Sequence, residues 1–460
     1  MTAPAPERSP GTPTVLDRLG IRLHPDGPGP APQTLLGLAL RHNPRRAQLL
    51  VSRLLGKHVP TDPRLVRAAA LLLGGLVADM LAGRPPRVLP ERLLAAAVDG
   101  DPAATAELHA FAVARRAVVD AQVLGFAETA TALGHCVAEA LTCDYLHSTR
   151  RQVPGFEPLG GFREEHSHAT EHLLLPAGRA LLRADRPLVL VDDELSTGRT
   201  AVNTIAALHA IAPRERYVVA ALVDLRAGDP TLAAAAAALG VRIDVVALGR
   251  ARVELPPDLA DRASAVRAAS GMNGTFTARR AVKVPFMPQP AGAERVALAD
   301  LGWTVGLPVG GRHGFGGADH DRLDEVLPRL ARTLATLAGI GDGDRTLVLG
   351  TEELMALPLR LAQCLADAGH QVAFSSTTRS PAVVVDEPGY ALRSGITFPA
   401  HDDPADGPGP RFAYNLAAHP WDRVLLVVDP PADTPALRTG LLAALAAAVP
   451  SAAVTVVVTP

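Results

Sequence analysis

Lysine is nearly missing from this sequence. Only Lys57 and Lys283 occur among the 460 residues, so arginine carries almost all of the positive charge. Arginine binds carboxylates and phosphates through a planar fork of N–H donors, whereas lysine acts as a compact point charge. Any phosphate site in this chain is therefore expected to rely on arginine side chains or on backbone amides.

Cysteine is also scarce, and its spacing indicates neither a metal site nor a redox pair. Cys136, Cys143 and Cys364 form no CxxC motif and have no evident partners. Unpaired cysteines are typical of a reducing compartment, where they pack as small hydrophobic side chains. The composition predicts a reduced, cytoplasmic protein.

A segment suited to cross a membrane is not evident either. The first twenty residues contain proline and early charges but no apolar core of a signal peptide. The uncharged run 68–78 stops at Asp79, well short of a span. Pro450 divides the uncharged segment 439–460 into an alanine-rich helix and a valine-rich strand, with a tail anchor as the alternative interpretation.

The chain has no strong net charge. Its formal net charge is -2, so the chain as a whole has no electrostatic attraction for nucleic acid or an anionic membrane. A local basic patch is still compatible with this value. The hydrophobic fraction of 48% is ample for globular cores. A chain of this length predicts two domains.

Proline and glycine mark the first segment, and regular patterns follow it. We expect a disordered tail over 1–30 and a first domain over 31–255, mostly helical over 34–79 and then alternating short strands with helices. Such alternation is typical of a mainly parallel sheet covered by helices on both faces. The pattern weakens over 256–295, interpreted as a linker, and resumes over 296–460 as a second α/β domain.

The most informative stretch is LVLVDDELSTGRT, residues 188–200. Its first four residues are continuously apolar, as in a central parallel strand, and two acids follow at the carboxyl end, where α/β proteins bind ligands. Asp192 and Asp193 could accept hydrogen bonds from sugar hydroxyls or hold a hydrated Mg²⁺. A turn then leads into the N-terminus of a helix, where backbone amides can bind a phosphate. The residues of this turn are Ser196, Thr197, Gly198, Arg199 and Thr200. Together these features describe a site for a ribose 5-phosphate, with a plain helix cap as the alternative.

This stretch resembles the phosphoribosyl-pyrophosphate (PRPP) binding motif of type I phosphoribosyltransferases. That motif joins a hydrophobic strand, two acids and a hydroxyl-rich loop with glycine. Glu194 departs from the family, which usually carries an aliphatic or small residue there. The resemblance implies Mg²⁺ as the cofactor, held by Asp192 and Asp193 through PRPP or water. It also implies a reaction in which a nitrogen nucleophile displaces pyrophosphate from PRPP.

The resemblance further implies a pyrophosphate loop and a flexible loop that closes over the transition state. The pyrophosphate loop matches the turn within VLGFAETATALG, and the next strand ends in arginines. The residues implied there are Ala127, Glu128, Thr129, Arg150 and Arg151. The flexible loop matches PGFEPLGGFREEHSHATEH, with Arg163, Glu165, His166 and His168 as candidate contacts.

The histidines of that loop permit a second interpretation. His166, His168 and His172 form an HxHxxxH cluster with three glutamates nearby, which could bind Zn²⁺ or a similar metal. On a strand, His166 and His168 share a face, whereas His172 needs a turn. A substrate-contacting loop, a metal site and a solvated surface all stay open.

A closer match is the bacterial subgroup of these transferases that carries a C-terminal TRSP domain. The motif that names this domain occurs as SSTTRSP, residues 375–381, and RHNPRRAQLLVSRLLGKHVP, GTEELMALPLRLA and FAYNL fit the same subgroup. The resemblance spans residues 34–455 approximately. It implies a Rossmann-like second domain and an association with tellurite-resistance-type stress gene clusters, whose members are suspected of making a nucleoside-like metabolite.

Polar residues follow two apolar strands of the second domain. A site for a phosphate, a carboxylate, a metal or a sugar would use Glu352, Glu353, Thr377, Thr378, Arg379 and Ser380. The alternative is that the glutamates favour a helix N-terminus and that Arg379 pairs with a surface acid. Near the start of the chain, five polar residues are predicted to form either a hood over the base of the substrate or a solvated helix face. These residues are Asn43, Arg45, Arg46, Lys57 and His58.

The sequence thus predicts a type I phosphoribosyltransferase-like sheet followed by a Rossmann-like α/β TRSP domain. The expected activity is ribosylation, or release, of a base or other nitrogen nucleophile with pyrophosphate exchange. Two alternatives stay open: a PRPP- or nucleotide-sensing regulator without catalysis, and a metal-dependent enzyme centred on the histidines. The expected partners are PRPP and an unidentified small-molecule acceptor, with no nucleic acid and no membrane, and a homodimer is a possible assembly.

Overall fold

The computed structural model describes residues 14–43, 47–163, 171–182, 185–269, 293–401 and 409–460. Within these residues the chain forms a six-stranded and a five-stranded sheet, both dominated by parallel pairs, and three smaller sheets. Helices pack against the two large sheets. This architecture confirms the predicted α/β class with a second parallel sheet toward the C-terminus.

The elements of the described residues are numbered in chain order. The strands are β1 (Arg22–Pro25), β2 (Leu36–Arg41), β3 (Gln48–Ser52), β4 (Gln122–Gly125), β5 (Asp144–His147), β6 (Gly160–Arg163), β7 (Glu171–Leu174), β8 (Leu188–Leu195), β9 (Arg216–Asp224), β10 (Arg242–Glu254), β11 (Glu294–Ala297), β12 (Arg345–Gly350), β13 (Gln371–Ser376), β14 (Ala382–Val383), β15 (Gly395–Pro399), β16 (Pro410–Tyr414), β17 (Arg423–Val428) and β18 (Ala453–Val458). The α-helices are α1 (Val15–Leu19), α2 (Pro32–Leu35), α3 (Pro63–Leu81), α4 (Glu91–Val98), α5 (Pro102–Val113), α6 (Thr131–Leu141), α7 (Arg199–Ile211), α8 (Thr231–Leu239), α9 (Leu259–Ala269), α10 (Gly317–Leu337), α11 (Ala356–Asp367), α12 (Pro435–Leu437) and α13 (Ala443–Ala448). Short 3₁₀ turns lie at Arg179–Leu182, Leu416–Ala418 and Pro430–Ala432, and a π-helical segment lies at Arg438–Leu442.

The six-stranded sheet has the order β1-β10-β9-β8-β4-β5. All its pairs are parallel except that of β1 with β10. The chain runs from β4 to β5 on one side and from β8 through β9 to β10 on the other. The direction of winding therefore reverses between β4 and β8. In open α/β sheets such a reversal opens a crevice at the carboxyl ends of the two strands.

The five-stranded sheet has the order β11-β18-β17-β12-β13, and each neighbouring pair is parallel. Here the chain runs from β12 to β13 on one side and from β17 to β18 on the other. The winding reverses between β12 and β17, which creates a second crevice of the same kind.

The two parts of the chain are interlocked. Strand β14, which follows β13, pairs with β2 through the registers Ala382↔Arg41 and Val383↔Leu40. The sheet β14-β2-β3 therefore contains strands from both ends of the chain. The Oη of Tyr390 accepts a hydrogen bond from the amide of Leu40 at 2.9 Å and donates one to the carbonyl of Val383 at 2.9 Å.

A buried ion network adds a second link between the two parts. Glu139 of α6 pairs with Arg67 of α3 and, at 3.0 Å, with Arg360 of α11. Burial alone would raise the pKa of the Glu139 carboxyl, but the charges of Arg360 and Arg67 outweigh it and hold that pKa far below its ordinary value. Glu139 is therefore ionised at neutral pH and holds three helices together.

Two expectations about the first eighty residues do not agree with the structure. The segment expected to be mostly helical forms β2 and β3 before the long helix α3 begins. These strands pair with each other over five residue pairs, and β2 also pairs with the distant β14 over two, a tertiary contact that a local pattern does not report. The tail expected to be disordered contains α1, capped by Thr14 and by left-handed Gly20, and β1, which pairs with β10. Within the predicted linker the structure has α9 and the start of β11, while residues 270–292 lie outside the described residues.

Candidate functional site

The acids of the LVLVDDEL segment lie at the carboxyl end of β8, beside the crevice between β4 and β8. Residues 188–191 are fully buried because their side chains alternate between two hydrophobic clusters, one on each face of the sheet, while β4 and β9 cover the two edges of β8. Asp192 and Asp193 are half-buried, and the amide of Asp193 donates to Asp192 Oδ1 at 2.9 Å. The strand thus delivers two carboxylates to the crevice without burying their charge.

The turn 196–200 joins β8 to α7 through a left-handed glycine. Gly198 is the N-cap of α7 with φ 78° and has no side chain to cap the helix, but Thr197 Oγ1 accepts from the amide of Arg199, the first residue of α7, at 3.4 Å. A Cβ on Gly198 would lie 3.0 Å from Leu232 Cγ, so the position favours glycine in both backbone and space. This contact of Thr197 is in keeping with the plain alternative of a helix cap. The first amides of a 13-residue helix face the same end of the crevice as the two acids.

The loop 127–129 follows β4 on the other side of the crevice, and each of its residues has its own contact. The Ala127–Glu128 peptide bond is cis. The amide of Ala127 donates to Ser148 Oγ at 3.0 Å. Thr129 Oγ1 accepts from Lys57 Nζ at 2.5 Å, and Glu128 Oε1 lies 2.9 Å from the Nε of Arg379.

The buried charges around this loop influence one another. Burial raises the pKa of the Glu128 carboxyl, and the negative charge of Glu352 adds to the rise, while Lys57 and Arg379 oppose it. Burial lowers the pKa of the Lys57 ammonium, and the carboxylates of Glu128 and Asp193 act in the opposite direction. Lys57 thus contacts the loop after β4 through Thr129, and the charge of Asp193 also acts on its ammonium.

The arginines after β5 point in two directions. Arg150 Nη2 lies 3.4 Å from His172 Nε2, next to β7. Arg151 is buried and donates to Asp429 Oδ2 at 3.2 Å, and its guanidinium lies within 4.0 Å of Glu353. Arg163, the third predicted arginine, ends β6.

The histidine cluster is described only in part. Glu165, His166 and His168 lie outside the described residues. His172 is buried, with Nδ1 2.9 Å from Ser148 Oγ and its ring stacked on Phe162. Within the described ranges no group of three His, Cys, Asp or Glu side chains has a metal-binding arrangement.

The predicted residues of the second sheet are buried and joined to the first part of the chain. Glu352 follows β12 and accepts from Arg411 Nε at 2.7 Å and from Arg379. Glu353 accepts from Thr149 Oγ1 at 2.8 Å and pairs with Arg312 at 2.6 Å. Full or nearly full burial is shared by the two glutamates and by Thr377 and Thr378, while Ser380 is half-buried.

Both plain alternatives for these residues are wrong. Helix α11 begins at Ala356, so Glu352 and Glu353 are not in its first turn. Arg379 pairs with the buried acids Glu128 and Glu352 rather than with a surface acid.

Of the residues predicted near the start of the chain as a hood over the base or a solvated helix face, Arg45 and Arg46 lie outside the described residues. Lys57 and His58 are buried and lie in no helix, contrary to the solvated helix face.

Three charged residues of this region, Asp429, Arg312 and Arg411, were not predicted from the sequence. Asp429 follows the apolar strand β17 as Asp192 follows its own apolar run, so the same signal could have found it. Arg312 and Arg411 have no comparable signal, because only the tertiary fold brings them to Glu353 and Glu352.

A cavity of about 1170 Å³ lies elsewhere in the molecule. It is lined by parts of α1, β2, β3 and α4 and by Tyr390. None of the predicted site residues that the structure describes lines it. The polar crevices at the carboxyl ends of the strands, and not this cavity, are therefore the candidate site.

Comparison with known proteins gives two family matches. Residues 35–252 match a family described as phosphoribosyl transferase, and residues 309–445 match the TRSP domain, described as C-terminal to that transferase. No curated protein matches the sequence. None of the described helices combines the length and apolar character needed to cross a membrane.

Solved structures with some similarity include three adenine phosphoribosyltransferases. One from Trypanosoma brucei, in complex with AMP, pyrophosphate and ribose-5-phosphate, is 18% identical over 27% of this chain and 55% of its own, with a TM-score of 0.21. One from Giardia lamblia, complexed with 9-deazaadenine, is 17% identical over 28% of this chain and 69% of its own, with a TM-score of 0.20. One from Leishmania tarentolae is 18% identical over 36% and 77%, with a TM-score of 0.23. This chain spans little more than half the length of the first.

Proposed function

Since this chain belongs to the phosphoribosyltransferases that carry a C-terminal TRSP domain, we propose that it binds PRPP at the carboxyl ends of β4 and β8. The observation that carries the proposal is the combination of Asp192 and Asp193 with a turn into α7 that opens on a left-handed glycine. Carboxylates accept hydrogen bonds from ribose hydroxyls, and the helix N-terminus favours a phosphate. Both groups occur on one molecule, a ribose 5-phosphate.

The transfer itself follows from this placement. A nitrogen nucleophile attacks the anomeric carbon, a C–N bond forms, and the C–O bond to pyrophosphate breaks, with the electron pair leaving on pyrophosphate. The nucleophile loses its proton to solvent or to a nearby base. In this proposal the turn 196–200 holds the 5-phosphate, Asp192 and Asp193 hold the ribose, and the loop 127–129 holds the leaving pyrophosphate. Positioning and stabilisation of charge supply the catalysis.

Magnesium is part of the proposal. The half-buried oxygens of Asp192 and Asp193 are hard ligands of the kind that Mg²⁺ prefers, directly or through water. When bound, the ion would neutralise phosphate charge on PRPP. We further propose a cytoplasmic enzyme whose acceptor is a base or small amine, in a nucleoside-like metabolite pathway linked to tellurite-type stress. The reverse reaction, release of a base by pyrophosphate, uses the same groups.

Ligand-induced stabilisation tests the binding step. Mg²⁺–PRPP should raise the melting temperature (Tm) of the wild type, because a ligand at 100 times its Kd stabilises the folded state by about 2.7 kcal/mol. The double variant Asp192→Asn/Asp193→Asn should lose that rise, since amides neither carry the charge nor accept as strongly. Asp342→Asn, at an exposed position in the second part of the chain, is the control and should retain the rise. A wild type whose Tm does not respond to millimolar Mg²⁺–PRPP would refute the proposal.

Catalysis needs a separate assay. Wild-type protein should release pyrophosphate from PRPP when a pool of nucleobases and small amines is supplied, and dividing the pool should identify the acceptor. Binding of PRPP without pyrophosphate release for any member of a broad pool would instead favour a sensing role.

A further inference from the structure

The loop 127–129 is held by groups that come from both sheets. Ser148, which contacts the amide of Ala127, follows β5 of the six-stranded sheet. Arg379, which contacts Glu128, follows β13 of the five-stranded sheet. The five-stranded sheet thus makes a direct contact, through the guanidinium of Arg379, with the loop that is proposed to hold pyrophosphate.

The third contact of the loop also depends on the second sheet. Lys57 donates to Thr129, and the carbonyl of Lys57 accepts from Ser375 Oγ of β13 at 3.4 Å. The neighbouring carbonyl of His58 accepts from Asn415 Nδ2 at 3.1 Å. Two hydrogen bonds between Thr61 and Phe374, at 3.0 and 2.8 Å, fix the same segment to β13.

Arg379 is itself held in place rather than free to swing. Its Nε contacts Glu352 as well as Glu128, and the other oxygen of Glu352 accepts from Arg411 at 2.7 Å. Glu352 and Glu128 are both buried, so each charge needs the guanidinium between them. A fixed cation between two fixed anions sets the position of the loop carboxylate.

The two crevices created by the winding of the sheets therefore face one shared set of charges. Glu128 lies beside the crevice of the six-stranded sheet, while Glu352 and Asp429 lie beside that of the five-stranded sheet. Arg151, from the first part of the chain, reaches Asp429, and Arg379, from the second part, reaches Glu128. Each part of the chain thus contributes an arginine that pairs with an acid of the other part.

We propose that Arg379 is a positioning residue for the transferase, which holds Glu128 and with it the pyrophosphate loop 127–129. The five-stranded sheet thereby completes the pyrophosphate half of the site, while the 5-phosphate half is built by the first sheet alone. This inference rests on the proposed function, because it assigns the loop 127–129 to pyrophosphate. It predicts that damage to Arg379 affects one ligand and spares the other.

Calorimetric titration of the full-length protein with two separate probes tests this. Pyrophosphate reports on the loop, and ribose 5-phosphate reports on Asp192, Asp193 and the turn 196–200. Arg379→Ala should weaken pyrophosphate binding about 10-fold to 100-fold, as the loss of an outer-shell partner that orients a binding group does at metal sites. Binding of ribose 5-phosphate should stay within about twofold of the wild type. Arg379→Lys, which keeps the charge, should recover part of the pyrophosphate affinity.

A matched control and a second variant make the test specific. Arg393→Ala removes another guanidinium from the second part of the chain, from an exposed pair with Asp386, and should change neither affinity. Glu128→Gln should reproduce the selective loss of pyrophosphate binding, and the double variant with Arg379→Ala should lose no more than either single variant, since one residue acts through the other. Glu128→Gln also serves if Arg379→Ala fails to fold.

The outcomes separate this inference from the function on which it rests. Wild-type protein that binds neither probe would overturn the proposed function itself. Wild-type protein that binds both, with Arg379→Ala and Glu128→Gln binding pyrophosphate equally well, would overturn only the positioning role. Equal weakening of both probes would also overturn it, because that result indicates a general structural effect.

Discussion

At the scale of single residues, the buried carboxylate of Glu353 stabilises the folded state in a way that depends on pH. Burial would raise its pKa, but the charges of Arg312, Arg151 and His147 and a hydrogen bond from Thr149 together lower it to about 2. A carboxyl whose pKa is lower in the folded state than in the unfolded state stabilises the folded state at pH values above its ordinary pKa of 4.5. This contribution is lost as the pH falls from there toward about 2.

Glu353 therefore predicts an acid-sensitive limb in the stability curve. The free energy of unfolding of the wild type should fall as the pH is lowered from 4.5 toward 2, measured by denaturant titration at several pH values. Glu353→Gln should be less stable at neutral pH and should show a shallower fall over that range. Glu325→Gln, at an exposed position on α10, should retain the wild-type slope. Equal slopes for wild type and Glu353→Gln would contradict the pKa assigned to this group.

At the scale of elements, the junction of β8 and α7 depends on the left-handed backbone of Gly198. Alanine at this position would cost about 1–2 kcal/mol for the backbone alone and would press its Cβ against Leu232. Gly198→Ala should therefore lower the Tm and also abolish the rise in Tm caused by Mg²⁺–PRPP. Gly83→Ala provides the control, because Gly83 is also left-handed at φ 66° but has no atom within 4 Å of the added Cβ.

The control should show the backbone cost without the loss of ligand response. If Gly198→Ala responds to Mg²⁺–PRPP as the wild type does, the turn 196–200 does not hold the phosphate.

Elements whose form is decided locally were predicted from the sequence. The apolar run of β8, the acids that end it and the glycine before α7 follow one another within 13 residues, and the structure has all of them in that order. Strands β12, β13 and β18 were also predicted, because continuous apolar runs bounded by turn residues are typical of buried parallel strands.

Features that depend on distant pairing could not be predicted. The pairing of β2 with β14, more than 300 residues away, is one such feature, whereas β2 and β3 pair locally with each other and were missed because their apolar pattern was interpreted as helical. The burial of Lys57 and the contact of Arg379 with Glu128 depend on the packing of one sheet edge against another. The sequence does not show which residue a charged side chain will pair with, or whether it will be buried. The site residues that follow the strands of the second sheet were therefore predicted, but their contact with the loop 127–129 was not.

At the scale of the whole molecule, the described parts are joined closely enough to unfold together. The sheet β14-β2-β3, the network of Glu139 and the charges between the two crevices each contain residues from both parts of the chain. We therefore expect a single cooperative transition in scanning calorimetry of the full-length protein.

Glu139→Gln tests this coupling. Its loss leaves Arg67 and Arg360 buried beside a neutral group, which should destabilise the protein by about 3–5 kcal/mol. Because Glu139 contacts both parts, the single transition should move to lower temperature and stay single. Two separate transitions, in the wild type or in this variant, would contradict the coupling.

The pairing of β14 with β2 has a consequence for the protein while it is being made. Ribosomes add roughly 5–20 residues per second, so β3 can pair with β2 early, whereas β14 emerges on the order of tens of seconds after β2 itself. During that interval the nascent chain exposes the edge of β2 that β14 will later cover, and an exposed edge can pair with other chains. The yield of this protein in a cell is thus expected to depend on chaperones or on the speed of translation, before its stability has any effect.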